Sequence, residues 1–181
     1  MKRFVLPVAI ALALVAGVVA PLASQDKTEG GMALRPVPQT PEWQKLRSLV
    51  GQWEGSVEEG GKTQTTRVDV RMTGDGSAVM HVMDKDGPHE MVTMFHPDGK
   101  RLLATHYCAV HNQPRMAMTP APAANQVAFR FVDGTNIEPG DMHMTGLVIT
   151  FVDADHHEEA WTSQMGGHDA PPVVFRYTRK K

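Results

Sequence analysis

From Trp53 to the C-terminus, turn sequences recur every few residues, and no segment between them has helical periodicity. Gly74-Asp75-Gly76, Lys85-Asp86-Gly87 and Pro97-Asp98-Gly99 are strong turn formers. The segments they separate alternate. In 65–72, Val68, Val70 and Met72 fall on one side, and Arg67, Asp69 and Arg71 on the other. Further strands are expected at 78–83, 90–95, 101–108, 116–118, 126–132, 142–152, 156–165 and 173–179, with a loop over 134–140. With the segment that opens at Trp53 these make about ten strands, joined by hairpin-length connections. A meander of that length has two edges to hide, and closing into a barrel hides both. The expected fold is therefore all-β, an up-and-down antiparallel barrel of about ten strands.

One short helix precedes it, over 41–50. Thr40 is a good N-cap, Pro41 suits the first helical position and Glu42 favours the positive end of the helix. Trp43, Leu46 and Val50 recur at helical spacing with Leu49 beside them, and Gly51 is placed to end the helix. Residues 25–39 are polar with Gly and Pro, which reads as a linker. Before them, Lys2 and Arg3 lead into an apolar run over 4–19, followed by Ala20, Ala23 and Ser24. That is the pattern of a secretory signal peptide cut after Ser24. The run is shorter than a spanning helix needs, and Pro21 ends it. The expected organisation is a signal peptide at 1–24, a linker at 25–39 and a barrel domain at 40–181. The mature protein is then periplasmic or secreted, with no membrane span after cleavage. Eighteen Lys and Arg against 20 Asp and Glu give a net charge of −2, which argues against a nucleic-acid partner. The single cysteine, Cys108, excludes an internal disulfide and a four-cysteine zinc site. In an oxidising compartment it must be buried, metal-bound or open to oxidation.

A short helix leading into Gly51-Gln52-Trp53, followed only by a meander, resembles the calycin superfamily, which holds the lipocalins, the fatty-acid-binding proteins and their bacterial relatives. In lipocalins a Gly-x-Trp opens the first strand, and a basic residue from the last strand packs across the Trp ring. The resemblance implies Arg176 in that role, closing the barrel floor by a cation–π contact. The segment Thr105-His106-Tyr107-Cys108-Ala109-Val110-His111-Asn112-Gln113-Pro114-Arg115-Met116 is similar to a motif of a family of secreted, lipocalin-like bacterial proteins of unknown function. The similarity runs from about Trp43 to the C-terminus and implies a fold without supplying an activity. That family has a small residue where this chain has His111.

A closed barrel of eight to ten strands can hold one small apolar ligand. This chain carries 12 Met and 9 His. Met72, Met80, Met83, Met91, Met94, Met142 and Met144 fit either an adaptable lining or simple core filling. Polar groups near the barrel mouth would set a ligand's head: His106, Tyr107, Asn112, Gln113, Arg115 and Met116, with Arg115 suited to a carboxylate. The loop Asp133-Gly134-Thr135-Asn136 is of the same polar kind. The leading expectation is a binding protein for a small apolar or amphipathic molecule, with no cofactor and no assigned catalytic residue. The alternative is copper, through Cys108-x-x-His111-x4-Met116, a spacing shared with blue-copper loops. In the copper fold that loop joins the last two strands, whereas several strands follow it here. Met142-His143-Met144 would suit copper(I). A third reading is an enzyme, since His106 and Cys108 share a strand face and could form a thiolate pair. Asp153-Ala154-Asp155-His156-His157-Glu158-Glu159 reads as a hairpin tip with solvated charges, or as a surface metal site. Nothing in the sequence sets the oligomeric state.

Overall fold

The computed structural model describes residues 34–181, and the expected signal peptide and most of the expected linker lie outside them. Residues 36–181 form one compact unit. The helix α1 spans Pro41–Ser48, with the Thr40 hydroxyl accepting from the Trp43 backbone N–H at 3.2 Å. Trp43, Leu46 and Leu49 are buried, whereas Val50 is exposed. The helix ends two residues earlier than the spacing suggests, so Val50 lies beyond it. Gly51 does not cap the helix but is the first residue of β1.

Eleven strands follow: β1 (Gly51–Glu59), β2 (Lys62–Thr73), β3 (Ala78–Met83), β4 (Met91–Asp98), β5 (Arg101–Tyr107), β6 (Gln113–Thr119), β7 (Gln126–Thr135), β8 (His143–Phe151), β9 (His156–Met165), β10 (His168–Asp169) and β11 (Val173–Arg179). Each of β1 to β9 pairs antiparallel with the next, and β11 enters between β9 and β1. The ring is a closed antiparallel barrel of ten strands plus one short helix, the expected all-β, calycin-like architecture. The two-residue β10 only extends the β9 hairpin. Several strands outrun the expected bounds. A Gly60-Gly61 turn, both residues at positive φ, separates β1 from β2. β7 runs on to Thr135, into the stretch expected to be loop. Register shifts at Arg115/Met116 and Met144/Gly146 bend the wall locally.

Alternation decides what fills the barrel. Val79, His81 and Met83 on β3, Thr93 and Phe95 on β4, and Leu102, Ala104 and His106 on β5 are all buried. Phe95 and Phe129 meet at 5.4 Å between ring centres near the helix end, where Trp43, Leu46 and Leu49 close the core. At the opposite end Met91, Met144 and Phe175 are only partly buried. The methionines divide accordingly. Met83 and Met116 are buried. Met80 and Met94 face each other across β3 and β4 at positions out of step with the buried residues.

The floor contact differs from expectation in one residue. Arg176 does not pack on Trp53. It is exposed and bonds Glu158 through Nε at 3.0 Å. Arg179 stands directly opposite Trp53 in the β1–β11 register, and its guanidinium lies 4.1 Å from the ring centre. Strand parity is the reason. Positions 177 and 179 share the inner face, and 176 falls on the outer one. Arg179 also donates to the Val50 and Ser48 carbonyls, both at 2.8 Å, and so satisfies backbone acceptors left free where the helix ends. Gly51 makes room for it, with φ +139° and a guanidinium nitrogen 2.6 Å from where a Cβ would stand. Replacing Arg179 by Ala is expected to cost about 2 kcal/mol, from charge-assisted hydrogen bonds and the ring contact together. Urea unfolding checks it, and a loss under about 0.5 kcal/mol would show that the floor contact is decorative.

Candidate functional site

The barrel interior is not wholly apolar. Glu159 on β9 is completely buried, and its Oε1 accepts from His81 Nε2 at 2.8 Å and from His157 Nε2 at 3.2 Å. Its other oxygen accepts from Trp161 Nε1 at 3.0 Å. Burial alone would push this carboxyl up. The charge of His81 and the hydrogen bonds from His157 and His81 overcome that and hold it below the usual carboxylate range. His157 lies edge-on to Trp53 at 4.3 Å and stacks on Tyr177 at 4.9 Å. Gly55 stands opposite Tyr177, and a Cβ there would come within 2.6 Å of the Tyr ring. Burial raises the Tyr177 hydroxyl well above the ordinary phenol range, and the Glu159 charge adds to it.

His106 forms the next layer away from the helix. Its Nδ1 bonds the Thr93 hydroxyl at 2.9 Å, and its ring packs on Trp161 at 4.9 Å. Burial, with the charge of His81 adding and Glu159 opposing, pushes its pKa down to about 4, so the ring is neutral at pH 7. At the end away from the helix, Asn112 Nδ2 donates to the Met142 carbonyl at 2.8 Å, and His143 Nδ1 bonds the Asp141 carbonyl at 3.0 Å. Phe131 packs on His143 at 4.6 Å. Among the described residues seven buried side-chain atoms have no protein partner: His81 Nδ1, His157 Nδ1, His106 Nε2, His143 Nε2 and Asn112 Oδ1 here, and Trp43 Nε1 and Gln126 Oε1 elsewhere. Buried polar atoms rarely stay unpaired, so water or a ligand must meet them.

The sequence-predicted residues do not converge. His106 and Asn112 are buried towards the end of the barrel away from the helix, and Met116 is wholly buried in the core. Tyr107 is half-exposed, on the opposite face of β5 from His106. Gln113 Oε1 accepts from Asn136 Nδ2 at 3.3 Å. Arg115 is exposed and grips Asp133 with two hydrogen bonds of 2.6 and 2.5 Å, which hold the Asp133 carboxyl low. Cys108 is buried. His111 sits in the turn after it with φ 67°, a left-handed conformation that glycine adopts without strain. Met116 in the core and His111 on an exposed turn are not brought together. Among the described residues no group of three or more His, Cys, Asp or Glu has metal-holding geometry.

The 153–159 stretch departs from its reading as a solvated tip. Asp153 and His156 pair at 2.9 Å on the surface, but His157 and Glu159 turn into the core. The signal was available in the spacing. Glu159 and His157 are in step with Trp161, and an apolar aromatic at that parity marks the inner face. His81, between Val79 and Met83, carried the same sign.

No family model matches the chain, and no curated protein does. Solved structures match its fold. A protein of unknown function from the DUF3598 family of Nostoc punctiforme PCC 73102 superposes with a TM-score of 0.54 at 12% identity, over 81% of this chain and 50% of that one. This chain thus spans about half the length of that protein. Rv2717c from M. tuberculosis superposes with a TM-score of 0.53 at 15% identity, over 80% of this chain and 100% of that one. The likeness is one of fold. Among the described residues no helix is long and apolar enough to cross a membrane.

Proposed function

We propose that this barrel is a binding module for a small, largely apolar molecule, acting in a periplasm or outside the cell, as calycin-like carriers do. The observation that carries the proposal is the polar column inside the barrel. Glu159, His81, His157 and His106 are all 3% exposed or less, and three imidazole nitrogens there have no protein partner. A buried carboxylate with its hydrogen-bond partners adds little stability over apolar filling, so its presence favours a role in recognition. Met91, Met144 and Phe175, partly buried and packed against the core, supply adaptable apolar surface at the end away from the helix.

The test is native mass spectrometry of the mature protein recovered from a periplasm, set against its denatured mass. An organic adduct lost on denaturation is the expected result and identifies the ligand class. Bare protein that also fails to take up alkyl probes in vitro would overturn the proposal, and a copper-sized adduct would replace it with metal handling.

A further inference from the structure

Strand register gathers soft metal donors at one place inside the barrel. Met83 on β3 stands directly opposite Met91 on β4. Both are in step with the inward His81 and Thr93, and both pack in or against the core. β4 and β5 pair Thr93 with His106 and Val92 with Tyr107, so the next position sets Met91 beside Cys108. Cys108 is buried between exposed Tyr107 and Ala109, which turns its thiol to the same inner face as His106. Two thioethers, one thiol and one imidazole therefore share the inner face of three neighbouring strands. Directly opposed residues have Cα atoms about 5 Å apart, within reach of a methionine side chain.

A second observation points to a ligand. His106 is 3% exposed and its Nε2 has no partner, while the Thr93 hydroxyl can accept from Nδ1 and leave Nε2 with a bare lone pair. Met91 is only partly buried, so the group meets solvent on that side. A metal ion needs ligands rather than a chamber, and unbranched thioether arms can close on one. Among the described residues no three His, Cys, Asp or Glu form a metal group, so this one depends on its methionines. That sets the choice of ion, because a set with two thioethers favours copper(I). We propose that the barrel binds one copper(I) ion through the Cys108 thiolate and the Met83 and Met91 thioethers, with His106 Nε2 completing the set. Binding releases the Cys108 proton to solvent, and the copper stays copper(I). Of the ligands that the spacing suggests, Cys108, His111 and Met116, only Cys108 belongs to this site. The proposal does not rest on the organic-ligand reading, because it concerns what the barrel takes up when copper(I) is supplied.

The experiment uses the mature chain, kept reduced and free of oxygen, with bicinchoninate as the competing copper(I) chelator. One equivalent of copper(I) should pass to the protein, with a thiolate–copper absorption in the near ultraviolet. Cys108→Ser should abolish that absorption. Met83→Leu and Met91→Leu should each weaken binding at least about tenfold. His111→Ala should bind as the parent does. Methyl-labelled methionine gives a readout on the parent chain. The Met83 and Met91 resonances should shift with copper(I), and those of Met80 and Met94, on the outer face, should not. Copper left wholly with the chelator, methionine variants that bind like the parent, or shifts at Met80 and Met94 instead would each overturn the site. Zinc(II) that displaces copper(I) would overturn the choice of ion. None of these results touches the organic ligand, whose own test is the uptake of alkyl probes. The methyl readout needs no variant, so the test survives one that does not fold.

Discussion

Replacing Glu159 by Ala is expected to cost about 4 kcal/mol and to lower the melting temperature by roughly 10 °C or more. The loss has a definite origin. Removing the carboxylate leaves His81 Nε2, His157 Nε2 and Trp161 Nε1 buried with no acceptor, and an unmade buried hydrogen bond costs more than a made one contributes. Apolar filling offers the contrast. Glu159→Leu combined with His81→Leu and His157→Phe should recover most of the lost stability, because the triple change removes the stranded partners as well. Denaturant unfolding of the single and triple variants checks both statements. A single variant within 1 kcal/mol of the parent would mean that the pair is open to water. If the triple variant is stable yet takes up no ligand, the polar column belongs to recognition.

Acidification should weaken the fold in two steps, and His106 sets the first. Its folded pKa of about 4 lies below the ordinary value of 6.5, so between those values the unfolded chain binds a proton that the native one refuses. The contribution is complete above pH 6.5 and is lost as pH falls to about 4, where both states are protonated. The loss from this one group is about 3 kcal/mol. Glu159 adds a lower window. Its carboxyl is held below the unfolded value of 4.5, so its stabilisation is complete above that pH and fades beneath it. His106→Phe keeps an aromatic ring against Trp161 and cannot titrate. The stability gap between parent and variant should shift by about 3 kcal/mol in the variant's favour from pH 6.5 to 4. A gap that stays constant with pH would show that the native ring protonates as freely as the unfolded one.

The barrel was legible because closure leaves marks in the chain. Turn triplets such as Gly74-Asp75-Gly76, alternation over 65–72 and the Thr40-Pro41 helix start are local, and local chemistry enforces them whatever the partner strand. The cation–π floor was legible as a kind of contact but not as a residue. Arg176 and Arg179 have the same chemistry, and only the register opposite Trp53 picks Arg179. The charged stretch 153–159 shows the same division. Composition alone places Glu159 in water, whereas its parity with Trp161 places it inside.

By itself, then, the sequence determined the all-β meander, its single capping helix and the number of strands, because those follow from periodicity and turn chemistry within a few residues. Only the tertiary structure decided what meets inside. His81, Glu159 and His157 lie on two strands, with 78 residues between His81 and Glu159, and Asn112 reaches Met142 across 30. Such pairings depend on how the ten strands are staggered when the ring closes. That stagger is a property of the closed sheet, and no single strand carries it.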